Sequence, residues 1–173
     1  MLRNVTKLIF TVSFIFAQWS SDSSQNTLIE SARQSQLSPL VEVAVDGSTY
    51  IAWGDRRNTP SYDYRIKRLD FSGNIFESYT LSNQHSSSAA GNLKALESDS
   101  EHGVFVLWEQ ITNNRDELRL QHVNSTVDVN GLVFDDNGLV LSGFECDRKN
   151  GSLAVIDRDN AIVSFTTSSC AGN

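Results

Sequence analysis

The chain has 173 residues, of which 39% are hydrophobic and 20% charged, and its formal net charge is −7. That length and balance suit one globular domain with a packed core and argue against wholesale disorder. The acid excess argues against a nucleic-acid backbone as partner, which would want clustered Lys and Arg. Asp55-Arg56-Arg57 and Arg65-Ile66-Lys67-Arg68 are short basic clusters, and nearby acids dilute both.

Residues 1–17 read as a secretory signal peptide. Arg3 and Lys7 give the positive start, Leu8 to Ala17 the apolar run, and Ala17 the small residue before cleavage. A membrane-spanning helix needs about 20 apolar residues, so this run is too short for one; a buried N-terminal strand is the competing reading. Cleavage would leave a still more acidic chain in a secreted, periplasmic or extracellular setting. Residues 18–38 are Ser- and Gln-rich and read as a polar linker, with at most a short strand or helical turn near Leu28 to Arg33.

A repeat domain is expected over 39–173, with units at about 39–82, 92–142 and 144–170. In the first unit Val41, Val43 and Val45 alternate with other residues, the period-2 mark of a strand. Asp46-Gly47-Ser48 supplies a turn with Gly47 at positive φ, and Thr49, Ile51 and Trp53 then alternate again. That turn puts both apolar sets on one face, while Ala44, Tyr50 and Ala52 make the other face small or aromatic, as a sheet covered on both sides requires. Further strands are expected at Tyr62 to Leu69 and Ile75 to Leu81, around the turn Asp70 to Asn74.

The second unit repeats the scheme with strands at Asn92 to Glu97, Val104 to Glu109 and Glu117 to Val123. An insertion at Asn124 to Gly131 delays its fourth strand to Phe134–Ser142. The third unit stops after its opening hairpin, Leu153 to Phe165. Trp53, Trp108 and Phe165 end equivalent strands about 55 residues apart, a period that points to propellers or related arrays. Cys146 and Cys170 are equidistant from the third turn, so they are expected on facing strands at disulfide distance. Zinc is the poorer alternative, because the two cysteines have no His nearby.

The run Ala52-Trp-Gly-Asp-Arg-Arg-Asn58, with Asp63-Tyr-Arg-Ile-Lys-Arg-Leu-Asp70 and Ser72-Gly-Asn74, resembles the repeat of secreted bacterial proteins with sialidase-like propellers. The resemblance is good over 40–82, partial over 92–142 and confined to the opening hairpin over 153–166. The second unit departs from it, with Glu109-Gln110 for Gly54-Asp55 and Asn114-Arg115 for Arg57-Asn58. Asp46-Gly-Ser-Thr-Tyr50 only approaches the Asp-box turn of sialidases proper. The resemblance implies a fold more than an activity.

Asp55, Arg56 and Arg57 follow a strand end, where propellers place binding surfaces. An Arg there can clamp a sialic- or uronic-acid carboxylate bidentately; the structural alternative is that Asp55 and Arg57 pair within the fold. The candidate ligand-binding residues are Trp53, Asp55, Arg57, Trp108, Glu109 and Arg115. No catalytic residues are assigned. A glycosidase pair such as Asp55 with Glu109 or Glu117 would need a defined carboxylate separation that spacing in sequence cannot supply. Asp157-Arg-Asp-Asn160 and Phe134-Asp-Asp-Asn-Gly138 have the oxygen-rich look of calcium turns, but such residues suit hairpin tips without a metal. No cofactor is expected. Asn124-Ser-Thr126 and Asn150-Gly-Ser152 are glycosylation sequons, relevant only on a eukaryotic secretory route.

The expected fold is all-β: antiparallel four-stranded meander repeats forming a partial β-propeller, with two fairly full blades plus the opening hairpin of a third. The expected role is an exported binding or interaction module with a glycan or another protein as partner. A relic of a sialidase-like glycosidase and a structural surface component are the alternatives. Two and a half blades cannot close a ring, so a larger propeller or self-association is expected.

Overall fold

The computed structural model describes residues 27–33, 35–57, 63–82, 93–112, 115–124, 131–135, 137–141 and 146–168. The signal segment, the start of the linker, the connector 83–92 and Cys170 lie outside them.

The described residues form an all-β structure of three antiparallel sheets, in which each strand pairs with its neighbour in sequence. The first sheet holds β1 (Gln36–Val43), β2 (Thr49–Asp55), β3 (Asp63–Leu69) and β4 (Ile75–Ser82). The second holds β5 (Leu93–Ser98), β6 (Val104–Thr112), β7 (Arg115–Val123) and the short β8 (Leu139–Val140). The third is a hairpin of β9 (Asp147–Val155) and β10 (Ala161–Ser168). The opening strands lie side by side, β1 against β5 and β5 against β9.

Local chemistry sets these elements. Gly47, at φ 83°, lets the chain reverse between β1 and β2, and Asp46 Oδ1 accepts from the Ser48 amide at 2.9 Å to brace that turn. β1 begins at Gln36, inside the stretch expected to be linker. It takes an irregular step between Leu37 and Leu40, where Ser38 has φ 50° and Pro39 has no amide to give to the ladder. The fourth strand of the second sheet is far shorter than expected. Buried Gln121 replaces ladder bonds there, donating to the Phe134 and Asp135 carbonyls at 3.2 and 3.0 Å and accepting from the Phe134 amide at 2.9 Å. Its side chain thus holds the segment as a loop until Gly138, at φ 69°, turns the chain into β8.

The sheets stack face to face around two apolar layers. Between the first and second sit Tyr50, Ala52, Tyr64 and Ile66 from one side and Leu96, Val104, Val106 and Trp108 from the other. Between the second and third sit Phe105, Leu107, Leu118 and Leu120, met by Leu153, Val155, Val163 and Phe165. Strand alternation divides β6 between the layers: Val104, Val106 and Trp108 face one way, Phe105 and Leu107 the other. A sheet covered on both faces reads as a continuous apolar run, and β6 is that run. Gly151 lets β9 come close, because a Cβ there would lie 2.4 Å from a Leu118 methyl.

Among the described residues the first sheet is covered on one face and open on the other, where its alternation pattern had implied a sheet covered on both sides. The Tyr50 and Ala52 face is fully buried, whereas Val41 and Val43 on the other face are 60% and 57% exposed. The register Val41 to Ile51 and Val43 to Thr49 does put both apolar sets on one side, as the turn implied. Among the described residues that side has no following layer of sheet, because the first sheet stands at the end of the stack.

Candidate functional site

The end of β2 carries the densest polar cluster among the expected site residues. Asp55, fully buried at the last position of β2, accepts from the Arg57 amide at 2.9 Å and from Arg57 Nη2 at 2.6 Å. The Trp53 indole N–H reaches it at 3.4 Å, and Arg65 Nε lies 3.5 Å away. Arg57 Nη2 also donates to Glu30 at 2.6 Å, and the Lys67 ammonium lies 3.7 Å from the same Glu30 oxygen. The Lys67 ammonium also donates to the Ile29 carbonyl and stands 5.6 Å from the centre of the Trp53 ring.

Burial pushes the Asp55 carboxyl up, but the hydrogen bonds from Arg57 and Trp53 outweigh it and hold the group below the usual carboxylate range. Arg57 is held above its ordinary value, chiefly by its hydrogen bonds to Asp55 and then to Glu30. The group is therefore a fixed ion cluster rather than a proton carrier. It ties residues 27–33 across the first sheet, and Thr27 completes the tie by donating to the Gly73 carbonyl at 2.8 Å.

The structure brings Trp53, Asp55 and Arg57 together and places Trp108, Glu109 and Arg115 elsewhere. Trp108 is wholly buried between the first and second sheets, with its ring 5.9 Å from that of Tyr64. Glu109 points the other way along the stack, bonded to Lys94 Nζ at 2.9 Å and to the Asn150 amide of β9 at 2.8 Å. Arg115 is exposed at the start of β7, opposite Thr112. Gln110, not Glu109, takes the place of Asp55 in the second repeat. Its Oε1 accepts from the Trp108 indole at 3.3 Å and from the Ser82 hydroxyl at 3.1 Å.

Sequence reasoning missed Glu30, Arg65 and Arg119. Glu30 sat in a stretch read as linker. The other two carried a readable signal, since Asp63-x-Arg65 and Glu117-x-Arg119 occupy the same position in both repeats; each Arg meets the acid two residues before it, Arg65 at 3.5 Å and Arg119 at 2.8 Å. A second missed group lies at the turn between β5 and β6. Buried Asp99 accepts from the Glu101 and Gly103 amides, both at 2.9 Å, and lies 2.9 Å from His122 Nε2. His122 stacks on Phe105 with centroids 4.1 Å apart. In the first sheet Asp46 and Arg68 meet at 2.6 Å, with Arg68 over Tyr50. Both sheets thus lock an acid of the hairpin turn to a basic residue of the third strand over an aromatic ring.

The turn at Asp157 is closed by its own side chain, which accepts from the Asp159 amide at 3.0 Å and from Asn160 Nδ2 at 2.8 Å. Among the described residues no group of three or more His, Cys, Asp or Glu side chains is placed to hold a metal ion, and no helix is long and apolar enough to cross a membrane. Cys146 is a disulfide cysteine; Cys170 lies outside the described residues, and the pairing of the two stays a proposal. No family model matches the chain, and no curated protein or solved structure is significantly similar to it.

Proposed function

We propose that the chain is an exported interaction module built as a partial β-propeller, and that it binds through the end faces of its stacked sheets rather than through a catalytic pocket. The observation that carries this reading is the open side of the first sheet, where Val41, Val43 and Val45 are 57% exposed or more and Phe71 is 69% exposed. Apolar residues gathered on one face in this way mark a surface that another macromolecule covers. The side-by-side opening strands and the repeated Trp-x-acceptor and acid-x-Arg contacts support the propeller assignment. Asp55 and Glu109 are already engaged by their own chain, which weighs against their acting as a glycosidase pair. The sialidase-like resemblance therefore enters as a likeness of fold, since function lives in the site and not in the architecture.

A carbohydrate acid is the second reading. It is favoured by Arg57, whose side chain keeps 32% of its accessibility, and by the exposed Arg115 at the start of β7 in the second sheet. A glycan array together with a fluorogenic sialoside separates the two. The interaction-module reading expects no sugar release and no selective retention. Selective retention that Arg57→Ala abolishes would replace it with the lectin reading, and sugar release would replace it with the enzyme.

A further inference from the structure

The three sheets are related by one repeated step. The face of the first sheet bearing Tyr50 and Ala52 meets the second, and the equivalent face of the second, bearing Phe105 and Leu107, meets the third. One more application of that step begins at the outer face of the third sheet, formed by Ser152, Ala154, Ile162, Ser164 and Thr166. All five are exposed, and Ile162 pairs with Ala154 and Ser164 with Ser152. The step ends on a face of the type that bears Trp108 in the second sheet and Trp53, Val41 and Val43 in the first.

The open faces at the two ends of the stack both carry exposed apolar residues close to the hairpin turn. On the first sheet the exposed apolar residues at the β1–β2 hairpin are Val41 and Val43 of β1 and Val45 of the following turn, the last 73% exposed, with Phe71 of the β3–β4 turn at 69%. On the third they are Ile162 at 58% and Ile156 at 61%, also beside the hairpin turn. The β3 side of the first sheet is already occupied by residues 27–33, through Thr27 to Gly73, Ile29 to Lys67 and Glu30 to Arg57. Among the described residues, what stays open is the width of the β1–β2 hairpin, and the third sheet is itself a hairpin wide.

We propose that the third sheet of one chain docks head to tail on the β1 side of the first sheet of a second copy, continuing the internal stacking step from one molecule into the next. This rests on the reading that the end faces are the binding surfaces. The contact is heterologous, so an open assembly keeps one free donor face at one end and one free acceptor face at the other unless it closes into a ring.

The test uses Val43→Asp, which spoils the acceptor face, and Ile162→Asp, which spoils the donor face. Both residues are more than half exposed, so both variants are expected to fold, with circular dichroism as the check. Sedimentation equilibrium of the unsubstituted protein should show self-association. Each variant alone should raise the dissociation constant on the order of 100-fold, because a carboxylate would be buried without a partner. An equimolar mixture of the two should regain a dimer of near-native affinity, since one chain retains the donor face and the other the acceptor. Self-association that Val43→Asp abolishes, that Ile162→Asp leaves intact and that mixing does not restore would overturn the head-to-tail contact alone, in favour of two first sheets meeting face to face. An unsubstituted protein that stays monomeric and binds no hydrophobic dye would overturn both this contact and the end-face reading beneath it.

Discussion

Asp55 is the residue on which the strand-end cluster turns. Its carboxylate is fully buried while Arg57 keeps about a third of its side chain exposed. Asp55→Ala should therefore cost about 2 to 3 kcal/mol in urea unfolding, below the roughly 3 to 5 kcal/mol for breaking a fully buried pair. The same cluster sets a pH dependence. For Glu30, Asp55 and Asp99 burial raises the carboxyl, but hydrogen bonds outweigh it: from Arg57 to the first two and from His122 to the third, with backbone amides adding to each. With folded values below the unfolded ones, the unfolded chain binds more protons in acid. These groups contribute their full stability above the ordinary carboxylate range of about pH 4 and lose it as the pH falls through the folded values. Thermal unfolding followed from pH 7 to pH 3 should show a plateau and then a decline, and Asp99→Asn should flatten the decline. A melting temperature that rises on acidification would contradict the assignment.

At the scale of the element, the equivalent tryptophans should separate. Trp108 fills the layer between two sheets, so Trp108→Ala should cost about 3 to 5 kcal/mol. Trp53 is covered by Lys67 and the strand-end cluster and belongs to neither intersheet layer, so Trp53→Ala should cost distinctly less in the same unfolding experiment. The third hairpin carries its own test. Its register closes at Asp147 opposite Ser168, just inside the two cysteines in sequence. Mass spectrometry without reduction should find Cys146 joined to Cys170, a link closing about 25 residues and contributing roughly 3 kcal/mol; two free thiols would contradict the pairing. These elements were legible to different degrees. The period-2 runs and the Gly47 turn fixed most strands of the first two sheets to within a few residues, because alternation and turn chemistry are local. The short β8 was not legible, because it depends on where the buried amide of Gln121 finds its partners across the sheet. Nor was Glu30, whose role depends on a strap laid over a distant strand.

At the scale of the whole molecule, the described residues form a stack of three sheets with an open face at each end. The layers between sheets are sealed by aromatic and aliphatic side chains and pinned by polar contacts such as Tyr50 to the His102 carbonyl at 2.5 Å and Lys149 to Asp116 at 2.7 Å. Nothing comparable covers Val41 and Val43 among the described residues. The most direct test is static light scattering on the protein lacking residues 1–17, across a concentration series and with a hydrophobic dye present. The average mass should rise above the monomer with concentration while dye fluorescence per chain falls, as the end faces become covered. A mass that stays at the monomer throughout, with no dye bound, would contradict it.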